Sequence, residues 1–244
     1  MNNPPVRPAR RQLTSAIAAI AAVGALAFVG LRSQPSTAAE VAVAIPPLAG
    51  EQGSDASAAQ ETAVFAGGCF WGVQGVFQHT QGVLNAVSGY SGGSKATASY
   101  PLIGSGLTGH AEAVQVTFDP KQVSYAQLLQ IFFSVIHDPT QLNRQGPDRG
   151  SQYRSAVFTT IPAQKAAVER YVAQLDAAKV FPAKIVTEVA PLAAFYPAED
   201  YHQDYATLHP GSSYIATFDL PKIANLKKMF APQYREQPVL VAKR

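Results

Sequence analysis

From Glu61 onward, short apolar runs alternate with longer amphipathic stretches. "TAVFAGG" reads as a short strand that ends in glycines. "FWGVQGVFQHT" puts Val73, Val76 and Phe77 on one face and reads as a helix, although Gly72 and Gly75 weaken its helical preference. "GVLNAVSGYSGG" alternates and runs out in glycines, as a strand entering a loop does. "AEAVQVTFDP" sets Ala113, Gln115 and Thr117 against Val114, Val116 and Phe118, a strand stopped by Pro120. "SYAQLLQIFFSVI" has a broad apolar face behind a Ser124 N-cap and predicts a helix. "HDPTQLNRQGPDRGSQ" reads as a long loop and "YRSAVFTT" as a strand. "IPAQKAAVERYVAQLDAAK" is a helix with Pro162 in its first turn. "AKIVTEVA" follows as another strand, and "FYPAEDYHQDYATLHPG" as a loop leading into a short helix. The fold class is therefore α+β, a sheet covered by helices on one side. Strand order does not follow from these patterns, and no internal repeat is present.

The first 60 residues follow a different rule. "RPARRQL" is a basic patch, and residues 13–31 run without a charge. This is the layout of a secretory signal, and adjacent Arg10 and Arg11 also fit a twin-arginine export signal. "PSTAAE" offers a cleavage site after Ala39. The apolar run is close to the roughly 20 residues that span a bilayer, so an uncleaved anchor competes with a cleaved signal. Residues 1–39 are thus a signal peptide or membrane anchor, and residues 40–60, rich in Ala, Pro, Ser and Gly, a flexible linker. The folded domain spans residues 61–230, followed by a C-terminal tail at 231–244. The globular part is expected to be exported, in a periplasm or lumen, with membrane contact only if the leader stays uncleaved.

Composition removes several function classes. The net charge is +3, with no dense Lys/Arg run, which excludes an electrostatic case for nucleic acid. One cysteine in 244 residues rules out an internal disulfide framework, a Cys-rich zinc site and a CxxC redox pair. The five histidines form no convincing ligand spacing, so no metal is expected.

That one cysteine, Cys69, lies between a predicted strand and a predicted helix. Gly67 and Gly68 allow a sharp turn there, which would set the thiol at a helix N-terminus. The dipole contributes about 1 kcal/mol, less than one pH unit. A thiol helped only by the dipole stays mostly protonated at neutral pH. Burial as a small hydrophobe is the ordinary alternative for a free cysteine, but an exported chain exposes a reactive thiol to oxidation, which argues for use. Phe70 and Trp71 directly behind it suggest an apolar wall.

The stretch "GCFWG" resembles the active-site signature of the A-type peptide methionine sulfoxide reductases. "GVLNAVSGYSGG", "SYPLIGSGLTGHAEAVQVTFDP", "LLQIFFSVIHDP", "RQGPDRGSQYRSAVF" and "FYPAEDYHQDY" are similar to further segments of that family, in the same order, over roughly residues 62–210. The resemblance implies a mixed sheet with a ferredoxin-like, plait-type core and long loops around the site. It also implies reduction of methionine S-sulfoxide, free or in oxidised proteins and peptides, to methionine. Such an enzyme repairs a polar lesion that disrupts apolar contacts.

Site residues follow from the same resemblance. Cys69 would be the nucleophile and would become a sulfenic acid. Glu112 matches the family's acid, and needs burial to hold a proton at neutral pH. Tyr100 and Tyr153 match the tyrosines that hydrogen-bond the sulfoxide oxygen. Phe70 and Trp71 would wall the S-methyl group, and Asp148 matches an acidic position near the substrate backbone. Glu199, Asp200 and His202 fall in a family loop near the site without a catalytic role. The chain departs from members with further cysteines: the 20 residues from Asn225 have none, and Gly104 stands where some members have one. No bound cofactor is expected. An external thiol donor, such as thioredoxin, glutaredoxin or glutathione, would regenerate the enzyme. Two other readings compete: a Cys–His hydrolase, and a tethered module that binds Met-rich peptides without turnover.

Overall fold

The computed structural model describes Met1, residues 41–50 and residues 58–241. The chain divides into an N-terminal unit, Met1–Gln34, and a main unit, Pro35–Arg244. The expected leader lies, apart from Met1, outside the described residues. The elements of the main unit are β1 (Glu61–Gly67), α1 (Phe70–Gln78), β2 (Val83–Ser91), α2 (Tyr100–Ile103), β3 (Ala111–Phe118), α3 (Tyr125–Ile131), β4 (Arg144–Gln145) and β5 (Asp148–Arg149). They continue with β6 (Ser155–Thr159), α4 (Pro162–Ala177), β7 (Glu188–Pro191), β8 (Phe195–Pro197), α5 (Tyr205–Leu208) and α6 (Leu220–Met229).

The six-stranded sheet has the order β7-β6-β1-β3-β2-β8. Its centre, β6-β1-β3-β2, is antiparallel throughout, with α1 joining β1 to β2 and α3 preceding β6. That is the β-α-β-β-α-β plan of ferredoxin-like folds. β7 joins parallel to β6 after the α4 crossover, and β8 joins antiparallel to β2, so the sheet is mixed. Alternation along β3 decides the faces. Val114, Val116 and Phe118 enter the large core with Ala63 and Phe65 of β1 and the buried sides of α1, α3 and α4. Ala111 and Ala113 join a smaller cluster on the opposite face, with Val64, Ala66, Ala156 and Phe158, covered by Leu192 and Phe195. The buried sides of these helices thus share one face, as expected.

Local signals worked where they were strong. Ser124 accepts from the Gln127 N–H at 3.2 Å while Gln127 accepts from the Ser124 N–H at 2.9 Å, a complete capping box. The helix then widens into a π-helical turn over Phe132–Ile136. Elsewhere the structure differs. The "AKIVTEVA" strand shrinks to Glu188–Pro191. "FYP" is strand β8, because its backbone pairs with Gly89–Ser91. The long loop holds a small hairpin, with Gln145 opposite Asp148. α6 has no counterpart among the elements expected from the sequence.

Residues 41–50 correct the flexible-linker expectation for the segment they cover. Ile45 and Leu48 are buried in the core. The Val43 N–H donates to Ser134 O at 2.9 Å, Tyr171 OH donates to Pro46 O at 2.6 Å, and Gln174 Nε2 donates to Pro47 O at 2.8 Å. A Pro/Ala-rich strap without periodicity is held here by side chains of α4 and by the backbone and side chain of Ser134. The C-terminal tail is docked too: Arg235 N–H donates to His79 O at 2.8 Å and Val239 N–H to Gln78 O at 3.0 Å. Among the described residues, no helix is long and apolar enough to cross a membrane.

Removing the strap's anchor tests its docking. Ile45→Ala is expected to lower the unfolding free energy by about 2 kcal/mol in urea titrations. An unchanged midpoint would mean that the strap is not seated in solution.

Candidate active site

Cys69 is the N-cap of α1, held by the Gly67–Gly68 turn. Gly68 has φ of +91°, a region that L side chains avoid, and a Cβ there would meet Gln145 at 2.7 Å. The turn therefore requires glycine, and it delivers the thiol to the helix N-terminus as expected. Cys69 is 7% exposed. Burial raises its pKa, with Glu112, Asp219 and Asp148 adding to the rise, while the Trp71 backbone N–H pulls the other way. The resting group is a thiol.

Glu112 enters from β3, which places it on the same face of the sheet as Val114 and Val116. Its Oε2 accepts the Phe70 backbone N–H at 3.0 Å, the first free N–H of α1. A buried strand carboxyl thus serves as a remote cap for the helix whose N-cap is Cys69. Burial pushes its pKa up to about 8; the Phe70 N–H opposes this, and Asp148 and Asp219 reinforce it. At neutral pH the group is a carboxylic acid, and since Oε2 is an acceptor, Oε1 is the oxygen left to carry the proton.

The two tyrosines share this environment. Tyr100 opens α2, is 37% exposed, and donates its backbone N–H to Glu199 Oε1 at 2.9 Å. Burial raises its phenol pKa, then Glu112 and Cys69. Tyr153 ends a 3₁₀ turn after β5, and burial raises its pKa, followed by Glu112, Asp148 and Cys69. Both phenols stay protonated, as donors must. Glu199 also accepts from Tyr90 OH at 2.8 Å, so it ties α2 to β2.

The aromatic wall is unequal. Phe70 is fully buried against Tyr90 and His202, with centroids at 5.9 and 5.1 Å. Trp71 is half-buried and stacks on Tyr205 at 3.9 Å, with Tyr214 at its edge. Its indole Nε1–H donates to His202 Nδ1 at 3.2 Å, which fixes His202 as the Nε2–H tautomer. His202 in turn lies 4.3 Å from the Tyr100 ring. The segment carrying His202 is sewn to α1: Gln74 Nε2 donates to Gln203 Oε1 at 2.9 Å, and Gln78 Nε2 to Asp204 Oδ1 at 2.6 Å. Asp148 faces a crevice and accepts a short hydrogen bond from Tyr214 OH. That crevice is lined by Cys69, Gln145, Asp148, Tyr214, Phe218 and Lys222, among others, and by no histidine. Among the described residues no cluster of three or more His, Cys, Asp or Glu could hold a metal.

A turn-held thiol, a protonated buried carboxyl and two phenols match the chemistry of sulfoxide reduction, and comparison with known proteins agrees. The family model for peptide methionine sulfoxide reductase matches residues 61–234. The chain belongs to this family. It is 59% identical to peptide methionine sulfoxide reductase MsrA 2 of Mesorhizobium japonicum, over 76% of this chain and 95% of that protein. It is 50% identical to MsrA 2 of Synechocystis, over 72% and 83% of the two chains. Methionine sulfoxide reductase A of Corynebacterium diphtheriae superposes with a TM-score of 0.54 at 36% identity, covering 71% of this chain and 89% of that one. The reduced form of Mxr1 from Saccharomyces cerevisiae gives 0.59 at 30% identity, covering 69% and 95%. The protein is accordingly a peptide-methionine (S)-S-oxide reductase that uses thiols to return methionine sulfoxide to methionine, an oxidoreductase of protein repair. The hydrolase reading is not favoured.

The structure gathers the seven expected residues, Cys69, Phe70, Trp71, Tyr100, Glu112, Asp148 and Tyr153, around the turn that holds Cys69. Those missed are Tyr205 and Tyr214, which hold Trp71 and Asp148, and the pair Asp219 and Lys222. Tyr205 stands in the quoted "DYHQDY" stretch, three residues after His202; Tyr214 and Asp219 lie in a segment without strong periodicity, and Lys222 in the first turn of the helix that follows.

Glu112 gives a pH prediction. Its acid form is present below about 8 and is lost as pH rises through that value. With saturating sulfoxide and dithiothreitol, turnover is expected to be flat at neutral pH and to fall above about 8. Glu112→Gln should lower turnover by about a hundred- to ten-thousand-fold and abolish that limb. A variant with the wild-type limb would show that another group titrates.

Proposed function

We propose that this reductase works through Cys69 alone and draws its electrons from an external thiol. Glu112 supplies a proton to the sulfoxide oxygen, and the Tyr100 and Tyr153 hydroxyls donate hydrogen bonds to it. Trp71, with Phe70 behind it, walls the S-methyl group, and Asp148 lies toward the substrate backbone. The Cys69 sulfur attacks the sulfoxide sulfur, the oxygen passes to Cys69 as a sulfenic acid, and the thioether leaves as methionine. One donor thiol then forms a mixed disulfide with Cys69 and releases water. A second donor thiol attacks the donor sulfur and frees Cys69.

The observation that carries this reading is the 3.0 Å contact between Glu112 and the residue next to Cys69, made by a carboxyl that burial keeps protonated. The single-cysteine route rests on the sequence, which has no second thiol within residues 61–234. Thioredoxin, glutaredoxin and glutathione-like donors all satisfy the chemistry. Substrates are oxidised proteins and peptides or the free sulfoxide. Arg10, Arg11 and the uncharged run at 13–31 support export to a periplasm or lumen, or an anchored form.

One equivalent of methionine S-sulfoxide without reductant should leave intact protein with a lasting gain of one oxygen atom, by mass spectrometry. Cys69→Ser should gain nothing. An intermolecular disulfide dimer as the main product would overturn the single-cysteine route. For export, cell fractionation with N-terminal sequencing should find the protein outside the cytoplasm, either cut near Ala39 or held on the membrane. Soluble cytoplasmic protein with an intact leader would contradict it.

A further inference from the structure

A second pair of charges lies beside the nucleophile. Asp219 ends a π-helical turn, Ile215–Asp219, and is fully buried. Lys222 follows in the first turn of α6 and is 5% exposed. Its Nζ lies 3.5 Å from Asp219 Oδ1. α1 admits the pair because Gly72 lacks a side chain: a Cβ there would collide with the Asp219 carboxylate and press on Lys222 Cδ at 3.3 Å. The glycine that weakens α1 as a helix is what lets an ion pair reach the turn that follows Cys69.

Burying such a pair costs desolvation that apolar residues would avoid, so its location needs an explanation. Lys222 lines the crevice together with Cys69, Asp148 and Tyr214, and among the described residues lining it Lys222 is the one cation. The other titratable groups around it are Asp219 and Tyr214 of the turn, Asp148 of the hairpin, Cys69 before α1, and His137 after α3. Glu112 of β3 lies beyond Cys69. Burial pushes His137 down to about 3, so it stays neutral. Asp219 is raised to about 6 by burial, with Lys222 opposing the rise, so it is ionised at neutral pH. Asp148 also feels the Lys222 charge.

We propose that Lys222, clamped by Asp219, is a positioning residue that balances the negative charge at Cys69 during regeneration by the donor thiol. The proposal rests on Cys69 being the nucleophile. In the first step a donor thiolate bonds to the Cys69 sulfur, the sulfur–oxygen bond breaks, and the oxygen leaves as water after taking a proton. In the second step another donor thiolate bonds to the donor sulfur, and the Cys69 sulfur departs as a thiolate with the bonding electron pair. Two donor thiols are oxidised to one disulfide while the sulfenic acid is reduced. Both steps bring an anion to a place already facing the carboxylates of Asp148 and Asp219. Helix α1 offers only a weak partial charge there. Lys222 supplies a positive charge that offsets the Asp219 and Asp148 carboxylates there, and Asp219 fixes its position.

Alkylation of Cys69 by iodoacetamide, followed from neutral to alkaline pH, reads this charge directly. Lys222→Met should move the midpoint up by about one pH unit, and so slow alkylation at neutral pH roughly tenfold. Asp219→Asn, which leaves the ammonium unneutralised, should move it down. The double variant should return toward wild type. If Lys222→Met fails to fold, Lys222→Arg, which keeps the charge, should hold the wild-type midpoint, and Asp219→Asn alone still gives the sign. A merely structural pair predicts lowered stability in both single variants with unmoved midpoints, and that result overturns the proposal. Turnover surviving in Cys69→Ser would instead overturn the mechanism beneath it; unmoved midpoints leave that mechanism standing.

Discussion

A single hydrogen bond, from the Phe70 backbone N–H to Glu112 Oε2, joins the helix that begins after Cys69 to the proposed acid. The donor is the first free amide of α1, and the acceptor is a carboxyl at the end of β3 on the core side of the sheet. Without that bond the Phe70 N–H would be buried without a partner, and Glu112 would be a buried acid with nothing to satisfy it. With it, β3 and the Gly67–Gly68 turn are locked in the register that puts a protonated acid next to the residue before α1. The rest of the fold maintains this contact. β3 is held centrally between β1 and β2, and α1 is fastened to the His202 segment through Gln74 and Gln78.

The same burial that keeps Glu112 protonated also raises the Cys69 thiol. Both groups are buried, and Glu112 adds to the rise at Cys69. In the proposed mechanism, a nucleophile that resists ionisation suits a substrate that a proton activates first. It also leaves a buried thiol less prone to stray oxidation, since the thiolate is the reactive form. The wider acid cluster, with Asp148 and Asp219 close by, makes the placement of a lysine among them a matter of function as well as stability.

Much of this was legible in the chain. The glycine pair before Cys69 predicted the turn, and the alternation in β3 put Glu112 on the side of Val114 and Val116. The Ser124 cap is legible because its partner Gln127 is only three residues away. What stayed hidden depends on distant contacts. Residues 41–50 look like linker because Pro46 and Pro47 have no local partner; their carbonyls bond to α4, more than 120 residues on. Gly72 weighs against a helix in the sequence, yet Asp219 fills the space that a side chain there would need. α6 carries a signal, with Ile223, Leu226 and Met229 at helical spacing and Pro221 in its first turn, but the segment before it, which holds Tyr214 and Asp219, gives no period.

The central claim is that Glu112 is a carboxylic acid at neutral pH. Carbon-13 NMR of the Glu-labelled protein, with Glu112→Gln to assign the resonance, measures this without turnover. The account requires a carboxyl signal that titrates near 8 and is protonated at pH 7. A resonance already ionised at neutral pH, with a midpoint near the ordinary glutamate value, would contradict it.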